Sequence, residues 1–476
     1  MKIIHTTALV FLFACTASCA GNDEKNKAIP VTSTTKDTVD MPIVSSIPDS
    51  FQTGKVIPVV QCKANSSFSY ALYIPKKNSQ QLLPAIYFFD PHGNGSLPLN
   101  KYKELADRYN FILIGSNNSR NGNDFSMAEN IWNIISADSK SRLKIDKNRI
   151  YTCGFSGGAK VAGYIALNHT EIKSVIVGGA GLPDNVQPAT FRFTLTTLAG
   201  EGDLNMTDLV AFNSALDKTQ SLHRIIFFDG KHEWAPLNRM DIAFAGLQLD
   251  AMREKLIATD NSFVLEIEKA GKKRINDYLN ANNYIRAEEE CVLAINLLDE
   301  PNGDINWFIE KEKSIRSNPL FQKQFADRQS LLAREQSLKA TYQQQFERGD
   351  MNYWKKIIAG LQTNSIGNTA EAAMNQRLVA YLSLAFYSIS NQLIQSNQDK
   401  DARFFVELYK IDDATNPESW YLSAILNARS NNVAATKDDL LKAITNGFTD
   451  KTRMEQQPEF QAIHLDFVNI EAAIKN

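Results

Sequence analysis

The chain has 476 residues, 43% of them hydrophobic and 22% charged, with 51 Lys and Arg against 53 Asp and Glu. That length exceeds what one hydrophobic core normally organises, so two domains plus tails are expected. The near balance of charge offers neither the basic footprint of a nucleic-acid binder nor a polyanionic tail.

The first residues, MKIIHTTALVFLFACTASCAGNDEK, carry Lys2, an apolar run from Ala8 to Ala14, and small residues before Cys19. This is the pattern of an export signal, and it is too short to span a bilayer as a mature helix. Thr16-Ala17-Ser18-Cys19 resembles a bacterial lipobox, which implies removal of residues 1–18 as a signal peptide and lipidation of the Cys19 thiol. The expected location is the bacterial cell envelope, lipid-anchored to the outer membrane on its periplasmic or outer face. Cys15, preceded by Leu12-Phe13-Ala14, is a competing site, and Asp23-Glu24 resembles the surface-export signals of some Gram-negative lipoproteins. Residues 19–50, rich in Thr, Ser, Lys, Asp and Pro without a sustained apolar period, predict a flexible tether. After cleavage Cys62, Cys153 and Cys291 remain, and an odd number with no C-x-x-C pair argues against a disulfide framework and against a zinc site.

From 51 to 258 short β-branched or aromatic runs alternate with helical stretches, which predicts a mostly parallel α/β sheet. Eight strands are expected near 56–61, 68–75, 85–90, 111–116, 149–154, 174–179, 193–200 and 224–230. The first two, separated by a short polar turn at Asn65-Ser66, predict an antiparallel hairpin. Helical spacing marks LNKYKELADRYN, MAENIWNIISADSKSR, GGAKVAGYIALN and DLVAFNSALDKT between the later strands.

The pentad Gly154-Phe155-Ser156-Gly157-Gly158 falls at the end of the fifth predicted strand. Alone it says little, since glycine and serine are common in turns. Its position after strand five, with the order of strands and helices around it, resembles the α/β-hydrolase family, without room for a large lid insertion. The resemblance implies that Ser156 is a nucleophile on a strained strand-to-helix turn, flanked by glycines because no side chain fits there. It places the catalytic base at His232, in FFDGKHEWAP beyond the eighth strand, and the acid at Asp203, in TTLAGEGDLNM after the seventh, with Glu201 a near alternative. The order Ser, Asp, His is the family's. Two backbone donors are implied for the oxyanion. Gly157 is one, and Asn94 or Gly93 in the loop FFDPHGNG is the other, a loop that departs from the H-G-G-G form and leaves that choice open. His92 would shape this loop.

From 259 to 476 the glycine and strand signals fade and the pattern becomes almost wholly helical. SWYLSAILNARSNNVAATKDDLLKAITNGF resembles a tetratricopeptide unit, with Trp420, Tyr421, Ala424 and Ala443 in key places and Asn416-Pro417 as cap and first turn. Tyr387 and Tyr421 lie one 34-residue period apart, but Thr436 stands where alanine is usual, and LLAREQSLKATYQQQFERG predicts one longer helix. A binding surface for protein or substrate and a structural buttress are equally open readings of this half.

These expectations combine into an α/β-hydrolase domain followed by an all-α, tetratricopeptide-like domain. The function they imply is that of an exported, lipid-anchored serine hydrolase of carboxylic esters, with deacylation of polysaccharides as an extension by analogy. No cofactor or metal is implied, no nucleic acid is expected as partner, and the membrane is met only through the lipid anchor. A serine peptidase on the same fold, or a noncatalytic surface lipoprotein binding a partner through its helices, are the alternatives.

Overall fold

Strands that bury both faces need apolar residues at successive positions, and the chain supplies them between Leu83 and Phe228. The computed structural model describes residues 51–77, 81–299, 303–467 and 470; the predicted export signal, Cys19 and the tether lie outside them. The strands are β1 (Ile57–Gln61), β2 (Ser69–Tyr73), β3 (Leu83–Phe89), β4 (Ile112–Ser116), β5 (Ile145–Phe155), β6 (Ile172–Gly178), β7 (Thr194–Gly200) and β8 (His223–Phe228). Between and after them run α1 (Ser96–Tyr109), α2 (Phe125–Arg142), α3 (Gly157–Asn168), α4 (Met206–Leu216) and α5 (Leu237–Arg253).

The eight strands form one sheet in the order β1-β2-β4-β3-β5-β6-β7-β8. β2 pairs antiparallel with both β1 and β4, and every later pairing is parallel. This is the eight-stranded, mostly parallel sheet expected from the sequence, in the strand order of the α/β-hydrolase fold. β3, β4 and β7 are buried at every position, as central strands covered by helices on both faces must be. β5 begins earlier than the sequence pattern suggests, because the polar segment Asp146 to Arg149 is carried through a register irregularity against β3.

The helical half comprises α6 (Asn261–Asn280), α7 (Tyr284–Leu298), α8 (Asn306–Arg316), α9 (Pro319–Gln345), α10 (Met351–Asn364), α11 (Ala370–Gln395), α12 (Asp399–Asp412), α13 (Pro417–Arg429), α14 (Val433–Thr445), α15 (Lys451–Gln456) and α16 (Pro458–Ala462). The chain divides into two compact units. Of the described residues, one comprises those up to Gly200, Met206–Phe228 and those between Glu233 and Asn318; the other comprises Glu201–Asn205, Asp229–His232 and those from Pro319 onward.

Helices α6 to α8, which the sequence pattern groups with the helical half, therefore cluster with the sheet. A charge network centred on the buried Glu290 joins α5, α6 and α7. Glu290 of α7 accepts from Arg239 of α5 and from Arg274 of α6 at 2.7 Å. Burial alone would raise the Glu290 carboxyl, but the Arg274 and Arg239 guanidiniums hold it below its ordinary value. In the same unit the Arg224 guanidinium of β8 donates to Asp250 of α5 at 2.6 Å, with both side chains buried. The Arg224–Asp250 pair ties β8 to α5, and truncating either partner would leave the other buried without a counter-charge.

The second unit has cores of its own. Trp354 of α10 stacks on Phe346 at 5.3 Å and meets Phe386 of α11 edge-on at 5.5 Å. Tyr421 of α13 stacks on Phe448 at 4.6 Å. The segment expected to be one long helix, 331–349, lies in α9 up to Gln345 and leaves the helix for its last four residues, and Asn416 caps α13 by accepting from the Glu418 amide, with Pro417 in the first turn.

Candidate active site

β5 ends on Phe155 and α3 begins on Gly157, which leaves Ser156 alone to turn the chain. It does so at φ 53 and ψ −125, outside both the helical and the extended regions. For a residue with a Cβ this conformation costs about 1–3 kcal/mol and persists only where the surroundings over-determine it. Here the Ser156 amide donates to Gly178 O at 2.8 Å, and the Ala159 amide donates to Ser156 O at 2.9 Å. The flanking glycines are sterically required. A Cβ on Gly154 would lie 2.0 Å from Gly158 O, and a Cβ on Gly158 would lie 2.0 Å from Phe89 O at the end of β3. Small residues continue the close approach into α3, where Ala159, Ala162 and Gly163 are buried and Thr152 Oγ1 donates to Ala162 O at 3.1 Å.

The Gly157 amide opens α3, in the first turn, where N–H groups lack intrahelical acceptors and the helix end favours negative charge. The loop after β3 packs against this turn through the Gly158 and Phe89 backbones. Its organiser is Asp90, which the sequence reading assigned no role. Asp90 Oδ1 accepts from the His92 amide at 2.9 Å and the Asn94 amide at 3.4 Å, while Asp90 O accepts from the Gly93 amide at 3.1 Å. The Trp234 indole, two residues past His232, donates to Asp90 Oδ2 at 3.0 Å. Of the two predicted donors, Asn94 is thus the more loosely held, at a distance well beyond the usual N–H···O value.

Asn121, in the loop after β4, was also missed. Its amide donates to Pro91 O at 2.8 Å, and its side-chain Oδ1 occupies the place a Cβ on Gly157 would take, 1.9 Å from that position. It therefore touches both segments that carry the predicted oxyanion donors. Nothing in the sequence pattern singles out Asn121, within the polar run NNSRNGND, or Asp90.

Asp203 follows β7 by three residues and His232 follows β8 by four, and the structure brings these two side chains together. His232 Nδ1 lies 3.0 Å from Asp203 Oδ2 and 3.1 Å from Oδ1. Asp203 is 1% exposed and His232 30% exposed. An ionised carboxylate can only accept, so Nδ1 carries the proton and Nε2 is left as the basic nitrogen. Asp203 Oδ1 also accepts from the Asn205 amide at 2.9 Å, and the Gly202 amide donates to Gly230 O at 2.8 Å, which fastens the two loops side by side. Glu201, the alternative acid, is turned to Arg328 at 3.6 Å. Two other histidines have different acidic neighbours: His169 lies 3.0 Å from Glu129 and His223 lies 3.1 Å from Asp217.

No family model and no curated protein matches this sequence. Among solved structures, the chain is similar to the hyperthermophilic esterase of Pyrobaculum calidifontis, at 11% identity over 42% of this chain and 85% of that one, with a TM-score of 0.32. It is also similar to a thermostable carboxylesterase from a metagenomic library (12% identity, 42% and 91% covered, TM-score 0.33) and to an S-formylglutathione hydrolase of Agrobacterium tumefaciens (15%, 42% and 94%, TM-score 0.31). Similarities this low say nothing about substrate or activity.

Proposed function

We propose that this protein is a serine hydrolase that cleaves carboxylic esters through an acyl-enzyme on Ser156. The observation that carries the reading is the left-handed Ser156 between β5 and α3, a strained conformation at a turn with no room for flanking side chains. The Asp203–His232 pair supplies what a serine hydroxyl lacks, a base held in one tautomer by a carboxylate. Ser156 Oγ attacks the ester carbonyl while His232 Nε2 takes its proton and returns it to the departing alcohol. The Gly157 and Asn94 amides receive the oxyanion, and water activated by the same imidazole then releases the acid.

Labelling of the protein from residue 20 to 476 with a fluorophosphonate probe tests this directly. Wild-type protein is expected to be labelled and Ser156→Ala and His232→Ala to be blank, and label retained by Ser156→Ala overturns the assignment. A panel of p-nitrophenyl esters, acetylated polysaccharide and short peptides then separates esterase from peptidase, with acylated polysaccharide as our substrate class.

The Lys2, Ala8 to Ala14 and Cys19 pattern supports export and a lipid anchor in the outer membrane. Cells fed labelled palmitate are expected to mark the full chain and to lose the mark in Cys19→Ala but not in Cys15→Ala. The reverse result moves the anchor to Cys15.

A further inference from the structure

The acid and base loops belong to the same compact unit as the C-terminal helices, and α9 and α11 grip the acid loop. Arg377 of α11 donates through Nη1 to Glu201 O at 2.5 Å, two residues before Asp203. The same guanidinium is paired with Glu335 of α9, Nε to Oε2 at 2.8 Å and Nη2 to Oε2 at 2.6 Å, and the two side chains are 3% and 1% exposed. Lys339 lies 2.7 Å from the other oxygen of Glu335. Gln376, beside Arg377, packs on Gly202, where an added Cβ would lie 2.1 Å from its Oε1. Gly202 in turn donates to Gly230 O, next to the base loop.

A buried ion pair is a poor stabiliser, because removing two charges from water offsets most of their attraction. It does hold a planar, forked donor in one orientation. Here the fork has one prong on Glu335 and the other on the backbone that carries the catalytic acid. We infer that Arg377 is a positioning residue for catalysis: anchored on Glu335, it fixes the 201–205 loop so that the Asp203 carboxylate meets His232 Nδ1. The C-terminal helices thereby act as part of the hydrolytic machinery rather than as a separate binding module. The inference rests on the Ser156, Asp203 and His232 reading, and its test separates the two.

The protein from residue 20 to 476 is assayed with p-nitrophenyl acetate as wild type, Arg377→Met, Arg377→Lys, Asp203→Asn and the Asp203→Asn/Arg377→Met double variant. Misplacing a catalytic group by about an ångström costs on the order of 10²-fold, so Arg377→Met is expected to lower kcat about 10- to 100-fold with KM within about twofold. Arg377→Lys, which keeps the charge, is expected to recover part of the loss. Because Arg377 acts through Asp203, the double variant is expected to be no slower than Asp203→Asn alone. A second readout does not need turnover: the low-field proton resonance of an imidazole Nδ1–H bonded to a carboxylate is expected in wild type and lost in Arg377→Met. If Arg377→Met does not fold, the neutral pair Glu335→Gln/Arg377→Gln takes its place in every arm.

Folded Arg377→Met with wild-type kcat and an unchanged resonance overturns the inference, as does a multiplicative loss in the double variant. A resonance that depends on Arg377 in a protein that turns over no ester sinks the esterase reading and leaves the positioning role standing.

Discussion

Ser156→Ala is expected to lower kcat/KM for p-nitrophenyl esters by about 10⁵-fold or more while leaving the urea unfolding midpoint unchanged. The two halves of that expectation have separate causes. On the proposed mechanism alanine removes Oγ, the atom of residue 156 that would form the acyl bond, so the residual rate would come from binding and the oxyanion donors. Alanine keeps the Cβ, so the cost of holding φ at 53 is the same as for serine. Ser156→Gly separates these effects: it is equally inactive, but glycine occupies that conformation freely, and the protein is expected to gain about 1 kcal/mol. Asp203→Asn is expected to cost about 10⁴-fold, since the imidazole then adopts the wrong tautomer. A Ser156→Ala protein with substantial esterase activity removes Ser156 from the mechanism.

Gly154→Ala is expected to destabilise the sheet unit by about 3 kcal/mol and to lower turnover about 10²-fold at once. Its Cβ would meet Gly158 O at 2.0 Å and Ala159 N at 2.6 Å, and both are backbone atoms that no rotamer change can move aside. Relief requires α3 to retreat from β5, which carries Ser156 and the Gly157 amide with it. Gly360→Ala in α10 is the control: nothing lies within 4 Å of the added Cβ, and alanine is the better helix former, so a small gain of up to about 1 kcal/mol is expected. Both properties are read on the same samples, by urea titration and by ester hydrolysis. Gly154→Ala with native stability and native turnover contradicts the steric account of the turn.

What the sequence made legible follows from range. Apolar runs of period one or two reveal strands directly, and the order of eight such runs located the loops that bear Ser156, Asp203 and His232. The pairing of Asp203 with His232 was legible because the resemblance to the α/β-hydrolase family ties each to a strand end, not to a particular neighbour. Asp90 was not, because an aspartate closing a strand looks like any turn residue until the Trp234 indole and the His92 amide are seen to converge on it. Asn121 gave no signal for the same reason, since its role depends on an empty place at Gly157 far along the chain. The grouping of α6 to α8 with the sheet was hidden because helix period tells which face is apolar but not what covers it, and Arg239, Arg274 and Glu290 form their network across three separate helices.

The bond from Arg377 to Glu201 O joins residues 176 positions apart. Closing a loop of that length costs roughly (3/2)RT ln n, and the contact repays it only after the segments between have folded. On the ribosome the loop bearing Asp203 is made long before α11 exists. The chain's own order of synthesis therefore leaves the 201–205 loop without this fastening until the chain has been made and folded through residue 377, so on the proposed mechanism hydrolytic competence would arrive late in biogenesis, with the last third of the polypeptide as its timer.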